Sequence, residues 1–600
     1  MIKKHEIHAF LFCIYVIIIL GDMMSKIRVM NENLANKIAA GEVIEKCSSV
    51  VKELIENSID AESTEIKVEL IDSGTKLIKV VDNGTGMDEE DALLCFSTHA
   101  TSKLLKEDDL YSINTLGFRG EALPSIAAVS IVNLSTSNGE TGIKLTLEGG
   151  KLTSKSKGDL RRGTIIEVKD LFYNTPARLK YLNSLPSELS SIVSVINHAA
   201  LSHPDIRFTL INNDKVLLKT DGSNNLLKVI NEIYGTTVAK KMLEINGEND
   251  DYEVHGYISL PDENKSNRNH MITLVNGRVV RNTELNKTIN DSYHKYKPDN
   301  RYPIVILELM VDPSLIDVNI HPSKLDIKFS NFEDLKLLVS NLIEKALDNN
   351  FLGVDISTKE VNIIKYDEPK VEEENKNEEL TLDLSNFEVS EPETEYKKEV
   401  PKEETKPFPN LYVIGSVLGT YIVCHNEEGM YLIDQHAAAE RFNYEKFKNY
   451  LKNPSKDNIN LLIPINLEYS KDEFIIIKNN IDIIRNIGIE IEEFGETSFV
   501  IRAHPTWFKE GYEEYFIKNI IEKIINNAKN FDLERFNDSL AASLACHSSI
   551  QANTNISIEE MNQIIKDLST CKNPYNCAHG RPTIIHYPKY ELDKLFKRVM

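Results

Sequence analysis

Residues 49–61 read SVVKELIENSIDA, and residues 81–87, a short distance on, read VDNGTGM. In the first stretch the apolar residues recur at helical spacing, predicting an amphipathic helix over Ser49–Ser58. On that helix Glu53 and Asn57 stand four residues apart and share a face, with Glu56 and Asp60 as a second such pair on a neighbouring face. A carboxylate and an amide so placed suit two tasks. Glu53 can orient and deprotonate a water, and the Asn57 amide oxygen can complete an octahedral Mg²⁺ shell of phosphate and water. Taken alone, the same helix reads equally well as a solvated surface helix.

The second stretch narrows the choice. A strand over Leu77–Val81 delivers Asp82 to its end, and Gly84 and Gly86 follow in a tight turn whose backbone can approach a flat ligand. The Asp82 carboxylate is left to accept a hydrogen bond from an exocyclic amine. Beyond it lies a polar loop, Ser97–Lys103, containing Thr101, Ser102 and Lys103. The run TLGFRGEAL (115–123) then places Gly117, Phe118, Arg119 and Gly120 before an apolar helix, a nest of N–H groups suited to phosphate. Neither GxxxxGK[ST] nor a GxGxxG after the first strand is present, which excludes a P-loop enzyme and argues against a dinucleotide fold.

These blocks resemble the MutL family of mismatch-repair proteins, within the ATPase superfamily that also holds gyrase B, Hsp90 and the histidine kinases. The matching runs are LANKIAAGEVIE (34–45), SVVKELIENSIDA (49–61), DNGTGM (82–87), HATSKL (99–104), TLGFRGEALPSI (115–126) and GTIIEVKDLFYNTPARLKYL (163–182). The chain departs from the family pattern at Cys47 and Ser48, where proline and alanine are usual. That change relaxes a turn without removing chemistry. The resemblance implies Glu53 as general base, Asn57 as Mg²⁺ ligand, Asp82 as reader of adenine with Thr164 as helper, and Gly117–Gly120 as part of the loop that covers the phosphates of ATP. It extends through VNGRVVR (275–281) and DVNIHPSKLDIKF (317–329), implying that Lys324 reaches the γ-phosphate from a second domain.

Farther on, DQHAAAERFNYE (434–445) reads as a strand running into a helix. A helix starting near His436 puts His436 and Glu440 on one face beside Asp434, ligands by type for Zn²⁺ or Mn²⁺. Cys577 and His579 form an i,i+2 pair, which in an extended segment projects to one side; Cys546 and His547 lie on the long helix before it. By itself this pair also suits a buried cysteine and a satisfied histidine. The block is similar, however, to the endonuclease motif of the MutL proteins that cut DNA, with ACHSSIQAN (545–553), CAHGRP (577–582) and Phe596–Arg598 as its companions. That resemblance implies a metal-dependent nuclease using Asp434, His436 and Glu440, with Cys546, Cys577 and His579 completing a mixed site. Thiolate ligands favour Zn²⁺ and oxygen-rich ones Mn²⁺. The competing expectation is an ATPase switch and scaffold with no nuclease of its own.

The length of 600 residues calls for several domains. The expected fold class is α+β multidomain: an ATPase α/β sandwich over 24–220, a ribosomal-S5-like α/β domain over 221–345, an acidic flexible linker over 346–408, and a dimerisation and endonuclease domain over 409–600 with an inserted subdomain at about 463–530. The linker reading rests on composition, since residues 359–406 carry 16 acidic and 8 basic side chains. The domain after it is therefore expected to be tethered to what precedes it, without packing against it. Residues 1–23 are read as an upstream artefact of gene calling or a disordered extension. Their apolar run, Ala9–Leu20, is shorter than the ~17–25 residues that span a bilayer, so no membrane is expected. Seven cysteines, unevenly spaced, make no disulfide framework and fit a reducing compartment; the family resemblance implies a cytoplasmic, nucleoid-associated protein.

The net charge of −23 requires any DNA groove to be local. Arg268, Arg278 and Arg281, with Arg161, Arg162 and Arg178, are the expected basic patch for double-stranded DNA. Family resemblance further implies a homodimer, a MutS-like mismatch-recognition partner and the replication sliding clamp. The clamp-docking peptide is degenerate here: Asn458–Pro464 keeps the apolar end and lacks the leading glutamine.

Overall fold

Helix α1, Cys47–Asp60, forms where the apolar spacing requires it. Cys47, Val50, Val51, Leu54, Ile55 and Ser58 are its buried stripe, and Glu53 and Asn57 stand outside that stripe, half-buried. The computed structural model describes residues 44–103, 115–117, 120–297, 301–317, 327–351, 408–454, 457–527, 532–549 and 554–598. Expectations for Phe118, Arg119, Lys324, the N-terminal segment and the linker from 352 to 407 lie outside the described residues.

After α1 come β1 (Glu65–Ile71) and β2 (Leu77–Asp82), then α2 (Ala122–Ala128), β3 (Ile131–Ser137), β4 (Gly142–Glu148), β5 (Lys151–Lys157) and β6 (Gly163–Lys169). Helix α3 (Leu185–Ser202), β7 (Arg207–Asn212) and β8 (Lys215–Lys219) complete the first domain. The eight strands form one sheet in the order β5-β4-β3-β6-β2-β1-β7-β8. Among the described strands of this sheet, only β1 and β7 pair in parallel. Residues of β1 and β2 alternate between buried and partly exposed, as expected of strands with one face covered. That face carries Ile66, Val68, Leu70 and Ile78 into a core shared with α1 and with Ile192, Val193 and Ile196 of α3. Each such aliphatic side chain contributes about 1.5–3 kcal/mol on burial. Strand β5 ends the sheet fully exposed, and its Lys151, Lys155 and Lys157 are the charges that keep a bare edge from pairing with another chain.

The second domain follows through α4 (Leu226–Tyr234), β9 (Met242–Glu248), β10 (Tyr252–Ser259), β11 (Met271–Val275), β12 (Arg278–Val280), α5 (Thr283–Ser292), β13 (Val305–Val311) and α6 (Phe332–Phe351). Its sheet runs β12-β11-β13-β10-β9. Leu285 and Ile289 of α5 and Leu335, Val339 and Ile343 of α6 pack with Tyr252, Leu307 and Leu309 in its core.

The C-terminal third begins with β14 (Tyr412–Val417), β15 (Tyr421–Asn426), β16 (Gly429–Asp434) and α7 (Gln435–Lys452). The insertion supplies β17 (Asn458–Glu468), α8 (Lys471–Asn479), β18 (Glu490–Glu493), β19 (Ser498–Pro505) and α9 (Glu513–Asn527). Helices α10 (Leu533–Ser548) and α11 (Ile558–Ser569) and strand β20 (Ile584–Pro588) follow. Two sheets result, β14-β15-β16-β20 and β17-β19-β18. The first packs against Met561, Ile564 and Leu568 of α11. In the second, the β17–β19 register breaks between Asn460 and Ile465, and Leu462 within the break is fully exposed.

The described residues fall into two compact units, one within Met1–Asp348 and Lys448–Leu540, the other within Asn349–Phe447 and Ala541–Met600. This corrects the expectation that nothing after the linker packs against what precedes it. Helix α8 lies along α3, and Ile475 joins the first domain's core. Buried Glu473 accepts from Lys265 Nζ at 2.9 Å and lies 3.1 Å from His270 Nε2. Arg301 forks onto Glu522 at 2.6 and 2.8 Å. Burial works to raise the Glu473 pKa, but Lys265 and His270 overcome it and hold the carboxyl well below its ordinary range. The linker's composition predicted only the reach of a tether; charge pairing between segments some 200 residues apart is not written in any local pattern. Among the described residues no helix is long and apolar enough to cross a membrane.

Candidate functional site

At the end of β2 the buried Asp82 carboxylate is fixed on three sides. Its Oδ1 accepts the N–H of Gly84 and of Thr164, each at 3.0 Å, and its Oδ2 accepts the Ser58 hydroxyl at 3.1 Å. Burial pushes its pKa up, opposed by those hydrogen bonds and by Arg161. Gly86 has φ +69°, and a Cβ there would lie 1.9 Å from the Ser137 carbonyl oxygen, so the turn is closed to any side chain. The Thr164 hydroxyl pairs with that of Thr136 at 3.0 Å, and Thr136 in turn accepts the N–H of Met87. A carboxylate held in this way, with acceptor capacity left on Oδ2, can take the amine of a flat base.

The face of α1 that carries Asn57 looks onto Lys103 and the 115–117 strip. Lys103 Nζ donates to Asn57 Oδ1 at 3.2 Å and lies 2.5 Å from Asp60 Oδ2. Gly120 accepts the His99 N–H at 3.1 Å, joining the strip's far end to the preceding polar loop. Thus Asn57, Lys103 and Gly117 are brought together, while Glu53 stands one turn earlier on the same helix. Thr101 accepts the Lys103 N–H, and Ser102 is exposed beside it.

Three contributors were not apparent from the sequence. Ser58 reads there as a polar residue on an amphipathic helix. Asp60 reads as a surface partner of Glu56, although its i,i+3 spacing from Asn57 is a signal that the two share a face. Arg278, expected on the DNA-facing patch, is instead buried, and its guanidinium donates to the Thr115 carbonyl. Arg161 is likewise engaged, donating to the Asp82 carbonyl at 2.8 Å. Arg162, Arg268 and Arg281 are exposed and Arg178 is partly buried; Arg268 lies 5.4 Å over the Tyr302 ring. Cys47 is the first residue of α1 and is buried, so the Cys47–Ser48 departure sits at a helix start, where burial and Glu188 push the thiol up to about 12.

In the second unit, Glu440 of α7 is buried and meets His579 Nδ1 at 2.9 Å. Donor atoms of Glu440, Cys577 and His579 lie within 4.8 Å of one another. The Cys546 and Cys577 thiols both hydrogen-bond to Glu440, and burial is the first cause of their raised pKa values. Residues 577–580 form a turn and not the expected extended segment: His579 N–H donates to Cys577 Sγ at 3.3 Å and Gly580 N–H to the Cys577 carbonyl. The turn brings the two side chains together where strand alternation was expected to do so. Asp434 and His436 lie outside this cluster. Asp434 Oδ1 accepts the N–H of His436 and Ala437, capping α7. The described side chains do not include His547. The carboxylate, imidazole and thiol of Glu440, His579 and Cys577 converge as a zinc-type ligand set, with the exposed Cys546 thiol interacting with Glu440 from α10.

Comparison with known proteins covers the whole arrangement. Residues 45–175 match the family described as histidine kinase-, DNA gyrase B- and HSP90-like ATPase. Residues 230–348 match the C-terminal domain of DNA mismatch repair protein, and 414–556 the MutL C-terminal dimerisation domain. The DNA mismatch repair protein MutL of Listeria monocytogenes serotype 4a is 42% identical, covering 95% of this chain and 99% of its own. That of Anoxybacillus flavithermus is 43% identical, covering 96% and 100%. A solved N-terminal domain of a DNA repair protein is 27% identical over 53% of this chain and 99% of its own, with a TM-score of 0.46. With an ATPase domain, a mismatch-repair domain and a dimerisation domain in this order, and relatives above 40% identity over nearly its full length, the chain belongs to the MutL family of DNA mismatch-repair proteins.

Proposed function

We propose that the protein is an ATP-driven mismatch-repair clamp that also nicks double-stranded DNA through its C-terminal unit. The observation that supports the nuclease half is the convergence of Cys577 and His579 on the buried Glu440 carboxylate, which Cys546 also engages. In the first domain, Asp82 with Thr164 reads the adenine amine, Asn57 holds Mg²⁺, and Glu53 serves as general base. Thr101, Ser102, Lys103, Gly117, Phe118, Arg119, Gly120 and Lys324 attend the phosphates.

In the C-terminal unit, Zn²⁺ or Mn²⁺ would supply Lewis-acid polarisation of a phosphodiester and a water acidified toward neutral pH. Glu440, Cys577 and His579, with Cys546 beside them, would hold it, while Asp434 and His436 would complete the nuclease face at the start of α7. Exposed Arg162, Arg268 and Arg281 contact backbone phosphate. Two copies pair through the C-terminal domain, for which exposed Tyr412, Ile414 and Leu418 on and beside the edge strand β14 are suited. A MutS-like protein recruits the dimer, and the fully exposed Leu462 and largely exposed Ile463 offer the sliding clamp its apolar contact.

The test is relaxation of closed circular plasmid with Mn²⁺, comparing wild type with Asp434→Asn. Asparagine caps a helix nearly as well as aspartate, so the fold should hold. Nicking should be lost, with ATP turnover unchanged. Equal nicking by both forms would displace the active site. No nicking by wild type, even with clamp and clamp loader present, would leave a scaffold that only switches with ATP.

A further inference from the structure

Asp60 ends α1 with its side chain only 6% exposed, and that carboxylate is fully engaged. Oδ1 accepts the N–H of Leu116 at 2.9 Å and Oδ2 that of Gly117 at 3.0 Å, while the Lys103 ammonium sits 2.5 Å from Oδ2. The strip passes close over the neighbouring groups: a Cβ on Gly117 would lie 3.3 Å from Lys103 Nζ and 3.6 Å from Asn57 Oδ1. Arg278 of the second domain takes the Thr115 carbonyl. Residues 115–117 are thus held by Asp60 through their N–H groups and by Arg278 through a C=O.

The N–H groups of Leu116 and Gly117, two of those the run offers to phosphate, are therefore already committed, so Gly117 borders the phosphates without donating to them. A buried carboxylate paired with two backbone donors and an ammonium has no reason to yield to an incoming polyanion, because displacement would leave it buried, charged and unpaired. We infer that Asp60 is a positioning residue of the ATPase: it fixes the 115–117 strip above Asn57 and aims Lys103 into the phosphate site. An ammonium has three donors. Asp60 and Asn57 take two, which leaves one for a phosphate oxygen, and a cation on Asn57 would compete with Lys103 for the amide oxygen and release a second.

The inference rests on placing the phosphates between Asn57, Lys103 and the 115–117 strip, so the experiment must separate the two claims. In the full chain, affinities for adenosine and for a non-hydrolysable ATP analogue with Mg²⁺ are measured for wild type, Asp60→Asn, Lys103→Met and the double variant, with thermal melting as the check on folding. Asp60→Asn should leave adenosine affinity within about twofold and weaken the analogue ~10-fold or more. Lys103→Met should match it. The double variant should lose little beyond the worse single, because the two residues act as one unit. Should Asp60→Asn fail to fold, Lys103→Met alone carries the test through the same contrast between the two ligands. Equal weakening of adenosine and analogue, full additivity, or an unchanged analogue affinity would each overturn the inference while the site reading stands. Failure of wild type to bind the analogue would overturn the site reading itself.

Discussion

Around Asp82 the groups that face a ligand are held largely by backbone: the N–H groups of Gly84 and Thr164, and a turn that a single Cβ at Gly86 would block. Around Glu440 they are side chains from three separate segments, and two of the four are thiols pushed by burial toward their neutral form. The first site is preorganised by backbone, whereas the second includes thiols that a metal would have to deprotonate. Backbone geometry tolerates no substitution but needs no cofactor to persist; a side-chain cluster tolerates backbone change but should lean on any metal it holds for stability.

The widest test of that contrast is a pair of alanines. Gly86→Ala should weaken ATP by on the order of 100-fold, because the Ser137 carbonyl it strikes belongs to a central strand. Gly580→Ala, at φ +84° with nothing within 4 Å of the new Cβ, should cost only about 1 kcal/mol and leave metal content alone. Calorimetry and metal analysis read both, and comparable damage at the two glycines would erase the distinction.

Next in size is removal of metal. A chelator, or Cys577→Ser, should lower the melting temperature of the C-terminal unit by roughly 5 °C or more and leave ATP affinity unchanged. Unaltered melting with zinc demonstrably gone would mean that the cluster stands by its own hydrogen bonds, like the first site.

The smallest effect concerns Ser58. Asp82 must be ionised to accept an amine, and burial has raised its pKa, so ATP affinity should be full above that raised value and fall as pH drops through it. The Ser58 hydroxyl pulls the other way. Ser58→Ala should therefore weaken ATP about fivefold at neutral pH and move the acid fall-off to higher pH. A fall-off that stays where it was would show that the hydroxyl spends its proton on the Leu54 carbonyl, 3.0 Å away.

What could be read from the sequence follows the same division. The helix of SVVKELIENSIDA, the strand before Asp82 and the strand-to-helix step at Asp434–Gln435 were legible because each is local, with a period or a turn residue to announce it. Asp60, Arg278 and Glu473 were not, since each acquires its role from a segment dozens to hundreds of residues away. Arg278 looks in sequence like any basic residue of a DNA-facing loop; only the folded chain shows its guanidinium buried against Thr115. The turn at 577–580 was missed for a different reason, because C-x-H spacing serves a strand and a tight turn equally well.

The docking of α8 on α3 has a consequence in time as well as in space. The Asn197–Asp472 contact joins residues 275 positions apart, so the first unit cannot finish folding when its own first 348 residues are made. At ordinary synthesis rates the ribosome needs roughly 10–40 s more to deliver α9, and until then Lys265, His270 and Arg301 wait without their carboxylates. A nascent chain in that interval presents the flank of α3 uncovered. A fragment ending near residue 345 keeps that face bare permanently.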